Sequence, residues 1–189
     1  MQIFDIKPTS FKVSWGPPQI PSESSFVEYQ YFATATDGEI TSNCTTRYDV
    51  HCIINGLRPD TLYNVTGVSC DLEKEECSPL LSAPITARTQ PAAPKHIQAT
   101  VLTATSVNVS WAPSPTPDDS GSGKRRVIVT ATGGESISRC TTFDETHCRL
   151  TGLNPDTRYS ITVVACSAVT SECSTSMEAP IFVTTQAIV

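Results

Sequence analysis

Polar and apolar side chains alternate through Ser10-Phe11-Lys12-Val13-Ser14-Trp15, and the alternation returns in Ser106-Val107-Asn108-Val109-Ser110-Trp111. A period of two puts every second side chain on the same side, so each run predicts a strand with one buried face. Gly16-Pro17-Pro18 breaks the first of these strands, and a Pro/Ser-rich loop runs on to Ser25. Phe26 to Thr36 predicts the next strand, Asp37-Gly38 a tight hairpin, Glu39 to Thr45 a short polar strand, and His51 to Ile54 another. Then comes Cys52-x4-Leu57-x-Pro59-x-Thr61-x-Tyr63-x6-Cys70, a chain that leaves one buried strand, turns a corner and starts the next. A Tyr at such a corner packs its ring on the core and hydrogen-bonds its hydroxyl back to the turn backbone. Ala83 to Thr89 predicts the closing strand, and residues 1–8 a shortened first one.

The whole pattern is spelled twice. Trp15, Leu57 and Tyr63 return as Trp111, Leu153 and Tyr159, each shifted by 96 positions. Cys44, Cys52, Cys70 and Cys77 return at the same shift as Cys140, Cys148, Cys166 and Cys173. A register kept without insertion means one supersecondary unit used twice. The second half predicts strands at Ser106–Trp111, Lys124–Thr132, Ser136–Cys140, Thr146–Leu150, Tyr159–Cys166 and Pro180–Thr185, with Gly133-Gly134 as a hairpin turn. No stretch has helical periodicity. The expected fold is all-β, two tandem seven-stranded antiparallel immunoglobulin-like β-sandwiches at 1–90 and 91–189, joined by proline-stiffened Thr89–Pro94. The lead-in Pro91–His96 has no counterpart before Met1, which aligns with Ile97. The chain therefore reads as a piece cut from a longer protein, with Met1 an added start.

Charge narrows the partners. The net charge of the 189 residues is −6, with −5 in residues 1–90 and −1 in the rest. A nucleic-acid partner would call for a basic face, so none is expected. Apolar runs are only a few residues long, too short to insert into a bilayer, and nothing after Met1 resembles a signal peptide. Eight cysteines in paired spacing point to disulfides and an oxidising, extracellular compartment. The four in each half are separated by 7, 17 and 6 residues, not by the short knuckles of a zinc site. His51 and His147 each precede a cysteine, but neighbours on a strand face opposite ways, so no metal is expected. The three histidines stand at no catalytic spacing, and no nucleophile elbow, zinc-protease motif or phosphate-cradling loop occurs. Neither an enzyme nor a cofactor is expected.

A Trp ending the second strand, an L-x-P-x-T-x-Y corner and a closing strand ending in Thr before a Pro-rich linker resemble the fibronectin type III domain. The resemblance runs from Ser10 to Thr185 and covers both halves. Three departures accompany it. Most such domains lack cysteines. Arg125 replaces the aromatic that the first half has at Tyr29, so the third strand of the second half should pack differently. No Arg-Gly-Asp occurs, so the integrin-binding loop of one family member does not carry over.

Four cysteines allow three pairings. On the family's strand order, Cys44 and Cys52 flank the loop between the fourth and fifth strands, and Cys70 and Cys77 the loop between the last two. The resemblance thus implies the local pairs Cys44–Cys52 and Cys70–Cys77, and likewise Cys140–Cys148 and Cys166–Cys173. Both bonds would stiffen one end of each sandwich. The rival Cys52–Cys70 bond would cross the core, whereas Cys70 lies on the outward phase of its strand, an odd number of residues from Tyr63.

The resemblance implies an extracellular, non-catalytic module of a cell-surface or secreted protein, a spacer and protein-binding surface working through loop ends or exposed sheet faces. Its partner would be a cell-surface or matrix protein, or a second copy of the chain. Two alternatives stay open: a receptor or secreted antigen using the tied loops as a specific face, and the ectodomain of a receptor tyrosine phosphatase. The candidate loop Asp71-Leu72-Glu73-Lys74-Glu75-Glu76 has net charge −3. It suits a basic partner or a cation, or is simply solvated. Lys124-Arg125-Arg126 suits sulfated glycans, or protects a strand edge. Asn43, Asn64 and Asn108 each open an N-x-S/T glycosylation acceptor, with Asn64 and Asn108 on outward strand phases.

Overall fold

A computed structural model of the chain describes residues 1–16, 29–47, 49–72, 75–77, 84–112, 125–175 and 179–188. It divides into two units, Met1–Gln90 and Pro91–Val189. Unit 1 is built from β1 (Gln2–Phe4), β2 (Ser10–Ser14), β3 (Tyr29–Thr36), β4 (Thr41–Thr46), β5 (His51–Asn55), β6 (Leu62–Asp71), β7 (Glu76–Cys77) and β8 (Ile85–Arg88). Unit 2 is built from β9 (Lys95–Thr103), β10 (Ser106–Ala112), β11 (Arg126–Gly133), β12 (Ser136–Phe143), β13 (His147–Thr151), β14 (Arg158–Cys166) and β15 (Ile181–Thr184). Among the described residues there is no helix.

Each unit is two antiparallel sheets. In unit 1 the smaller sheet runs β1-β2-β5 and the larger β4-β3-β6, with β7 and β8 both on β6. These two short strands pair with opposite ends of β6, at Cys70–Asp71 and Leu62–Val65, and share the place of a single closing strand. In unit 2 the sheets run β13-β10-β9 and β12-β11-β14-β15. Among the described residues unit 2 has seven strands and unit 1 about the same, β7 and β8 counting as one, and the shortened first strand is the three-residue β1 against the nine-residue β9.

The period-two runs become the inner faces. Phe11 and Val13 of β2 meet Ala33 and Ala35 of β3, Ile54 of β5, and Tyr63 and Val65 of β6. In unit 2 the matching set is Val107, Val109, Val129, Ala131, Leu150, Tyr159 and Ile161, all without solvent exposure. Each Val, Ile, Leu or Phe of these sets contributes about 1.5–3 kcal/mol by leaving water, and each Ala less.

The corner forms as the motif implies. Tyr63 is fully buried and its hydroxyl accepts from the Arg58 N–H at 2.9 Å; Tyr159 does the same for Asn154 at 2.8 Å. The threonine just after each closing strand joins in. Thr89 Oγ1 donates to the Arg58 carbonyl at 2.6 Å and accepts from the Thr61 N–H at 3.0 Å. Thr185 repeats both bonds with Asn154 and Thr157. Asp60 (φ 52) and Asp156 (φ 44) take the left-handed conformation that Asp tolerates, which turns their N–H groups onto Gln90 and Gln186.

Two turns differ from expectation. The Asp37-Gly38 turn spans Asp37–Ile40, because Asp37 Oδ1 accepts from both the Glu39 and Ile40 N–H groups, at 3.0 and 2.7 Å. Gly133 is the last residue of β11, not part of the turn. A Cβ there would collide first with the Arg158 carbonyl oxygen and would also lie 2.7 Å from the Tyr159 ring, so the β14 backbone and the corner tyrosine together demand glycine across the sheet.

Candidate functional site

Strand registers bring the cysteine-bearing segments toward one end of each unit. In unit 1, Tyr29 at the start of β3 lies opposite Asp71 at the end of β6, and Asp71 opposite Glu76. Tyr31 lies opposite Thr46 at the end of β4, while Gln2, Ser14 and His51 mark the same end of the smaller sheet. The structure forms Cys44–Cys52, Cys70–Cys77, Cys140–Cys148 and Cys166–Cys173 and has no free cysteine.

The two kinds of bond differ in what they join. Cys44 lies on β4, at the edge of the larger sheet, and Cys52 on β5, at the edge of the smaller. Their bond crosses from sheet to sheet along an open side of the sandwich, and Cys52 belongs to the core at 9% exposure. Cys140–Cys148 repeats this between β12 and β13. Cys70–Cys77 instead joins two residues already paired across one ladder, and Cys166–Cys173 sits at an equivalent bridge. Cys70 is half-buried, but Cys166 has no exposure although it lies on the outward phase. Next to Cys173, Ser174 closes on the same strand: its N–H donates to the Ala165 carbonyl at 2.7 Å, and its Oγ accepts from the Ala165 N–H at 3.1 Å.

The tied loops are unlike each other. In unit 2, buried Ser167 organises the loop: its N–H donates to Glu172, its carbonyl accepts from Ser171, and its Oγ accepts from Val169 and Thr170. Val169 stands exposed in this loop at 57%. In unit 1, Glu75 and Glu76 are exposed but Asp71 is 8% exposed on the inner phase of β6, which withdraws it from the acidic surface. Glu73 lies outside the described residues.

The end of the unit 1 core carries an aromatic row. Trp15 packs on Tyr31 with centroids 5.1 Å apart, and Tyr31 on Tyr29 at 6.5 Å. Burial, then the neighbouring Tyr29, pushes the Tyr31 hydroxyl up from its usual value. Gly67 makes room for the indole: a Cβ there would lie 3.1 Å from Trp15 Nε1. Unit 2 has Val163 at that place, with Val127 for Tyr31 and Arg125 for Tyr29, so the two third strands do pack differently.

At the opposite, corner end of unit 1, Arg58 spans Glu39 at 2.8 Å and Asp37 at 3.7 Å. Burial would raise the Asp37 carboxyl, but the Ile40 and Glu39 N–H groups and the Arg58 guanidinium outweigh it and hold the carboxyl below its usual value.

Of the basic run, Lys124 lies outside the described residues. The Arg125 N–H donates to Asp144 Oδ1 at 3.1 Å, and Arg126 opens β11 between Phe143 and Cys166. Arg126 belongs to a surface that sequence reading missed. On the outer face of β12-β11-β14-β15, Ile128 lies between Thr141 and Val164, Thr130 between Arg139 and Thr162, and Thr132 between Ile137 and Ser160. Ile137, Phe143 and Phe182 are more than half exposed there, and the Arg158 guanidinium lies 4.6 Å above the Phe182 ring. Three arginines and no acid occupy the outward positions of these four strands. A second count of apolar residues, on the phase facing away from the core, would have revealed this surface.

Asn43 and Asn64 are exposed on the outer face of the larger sheet of unit 1. Asn108 is half-buried on β10, between Thr100 and Arg149, and Arg149 Nη2 donates to Ser106 Oγ at 3.2 Å. Among the described residues no group of three or more His, Cys, Asp or Glu is placed to hold a metal ion. Among the described residues no helix is long and apolar enough to cross a membrane.

The family model for the fibronectin type III domain matches residues 1–75 and 92–181. The chain is 34% identical over 162 residues to the receptor-type tyrosine-protein phosphatase eta of Gallus gallus, covering 85% of the chain and 10% of that protein. It is 26% identical over 158 residues to tenascin-R of Gallus gallus, covering 84% of the chain and 11% of the relative. The chain thus spans about a tenth of the length of these curated relatives. Among solved structures, a two-domain fibronectin type III segment of chicken tenascin superposes with a TM-score of 0.55 at 19% identity, covering 97% of both chains.

Proposed function

The chain belongs to the fibronectin type III family in both halves, and from that membership we propose that it is a non-catalytic protein-interaction module of a larger extracellular protein. The chain works as a spacer that also binds a cell-surface or matrix protein. Four disulfides favour an oxidising compartment, and the receptor and tenascin relatives favour an adhesion or receptor ectodomain.

The observation that carries the binding reading is the outer face of β12-β11-β14-β15. Exposed Ile137, Phe143 and Phe182 supply the apolar area, and Arg126, Arg139 and Arg158 supply charge that no neighbouring acid on the face offsets. Aromatic and Arg side chains on a rigid sheet are the residue types that dominate binding energy at protein interfaces. The partner is a protein with an acidic, partly apolar patch. A multimerised, secreted form of the chain should label intact cells, with protease-sensitive labelling. Replacing Arg126, Arg139 and Arg158 by Glu should abolish the labelling, and Gly/Ser replacement of 168–171 together with Glu75→Ser and Glu76→Ser should leave it. The reverse outcome would transfer the function to the tied loops, and no labelling at all would leave only the spacer.

A second reading has its own support. The 34% identity over most of the chain favours a place in the ectodomain of a receptor-type tyrosine phosphatase, with the catalytic part elsewhere in the parent protein.

A further inference from the structure

We infer that Asn43 and Asn64 both carry N-linked oligosaccharides, and that these cover the outer face and open edge of the β4-β3-β6 sheet of unit 1. The inference rests on the extracellular reading above. Both asparagines are exposed, and both point outward on strands that flank β3: Asn43 lies opposite Thr34, and Asn64 opposite Thr36, two residues along. Strand spacing and rise place them roughly 12 Å apart, room for two sugar chains side by side. The threonine that completes each acceptor, Thr45 and Thr66, shares the outward phase of its asparagine.

The ground around them is unusual. Thr34, Thr36, Thr41, Thr45, Thr66 and Thr86 surround the two asparagines, and the outward positions of β3, β4 and β6 hold no charged side chain. β4 is an edge strand and reads Thr-Ser-Asn-Cys-Thr-Thr, without the Lys, Pro or charge that normally blocks edge-to-edge pairing. A threonine-rich face with an open edge, whose outward charge is confined to Arg88 of β8 held by Asp60, is prone to self-association. Carbohydrate supplies the blocking group that side chains do not. The outer face of β12-β11-β14-β15, with its arginines, has no acceptor tripeptide and stays bare for a partner. Asn108 stands in different ground, half-buried beside Arg149, and the inference does not extend to it.

The transfer balances simply. A lipid-linked pyrophosphate oligosaccharide is the donor: the bond from Asn Nδ2 to the sugar C1 forms, the C1–O bond to pyrophosphate breaks, and lipid pyrophosphate leaves with the amide proton going to solvent. To test it, the chain is secreted from a eukaryotic cell line that makes only high-mannose glycans. Amidase release in heavy-oxygen water should convert Asn43 and Asn64 to labelled Asp, and Asn43→Gln and Asn64→Gln should each remove one step of gel mobility. Trimming the folded chain with an endoglycosidase that leaves one N-acetylglucosamine should turn a monomer into dimers and larger species, without refolding. Secreted, fully disulfide-bonded chain with either asparagine unmodified overturns the inference, as does a trimmed chain that stays monomeric. Free thiols in the secreted chain would instead strike at the extracellular reading.

Discussion

Cutting the Cys44–Cys52 bond should destabilise unit 1 more than cutting Cys70–Cys77, although the two close loops of almost equal size. The sequence separations are 8 and 7. Loop-closure entropy then assigns each bond about 2.5 kcal/mol at 25 °C, with only about 0.1 kcal/mol between them. Entropy therefore cannot rank the pair, and packing must. Cys52 is a member of the core and Cys44 packs against it, whereas Cys77 is exposed on a strand already paired with β6. Alanine at both half-cystines of the first bond also removes two sulfur atoms from the side of the core, costing about 1–2 kcal/mol more in lost burial and residual cavity. It also unties β4 from β5, which share no ladder. The expected losses are about 4 kcal/mol for Cys44→Ala/Cys52→Ala and about 2.5 kcal/mol for Cys70→Ala/Cys77→Ala. Urea denaturation followed by Trp15 fluorescence in a Trp111→Phe background reads unit 1 by itself, provided the m-value is unchanged. Equal losses, or a larger one for Cys70/Cys77, would refute the reasoning.

Other consequences are as direct. Tyr159→Phe strips the acceptor from the Asn154 N–H and a partner from Ser136, and should cost unit 2 about 1–3 kcal/mol; an unshifted midpoint by Trp111 fluorescence would count against the corner bond. Gly133→Ala pushes a methyl into the Arg158 carbonyl and the Tyr159 ring and should cost about 1–3 kcal/mol, and a neutral result in the same assay would contradict that close approach of β11 and β14. Because the Asp37 carboxyl is held below its usual value, its stabilisation is fully present above the unfolded pKa of about 3.9 and is lost as pH falls through the folded value. Asp37→Asn should therefore lower stability at pH 7 and flatten the acid limb of unit 1. An acid limb identical to that of the parent chain would contradict the cause given for the shift.

The architecture was legible in the residues because it rests on short-range rules. Alternation at Ser10–Trp15 and Ser106–Trp111 declares strands with one wet face, and Leu57–Tyr63 and Leu153–Tyr159 declare the corner. An uninterrupted shift of 96 declares the duplication. What stayed hidden depends on which distant strand lies alongside. Counting phase from Tyr159 puts Cys166 outside, yet it has no exposure where Cys173 pairs with it and Ser174 closes on Ala165. Net charge put Asp71 in an acidic loop, but the register of β6 against β3 turns it inward beside Tyr29. Gly133 looks like half of a turn until the Arg158 carbonyl and the Tyr159 ring are seen against it. The outer face with Ile137, Arg139 and Phe182 exists only once β12, β11, β14 and β15 are laid in order. A period of two assigns each side chain to one of two sides, and the order and register of strands far apart in the chain decide what that side meets.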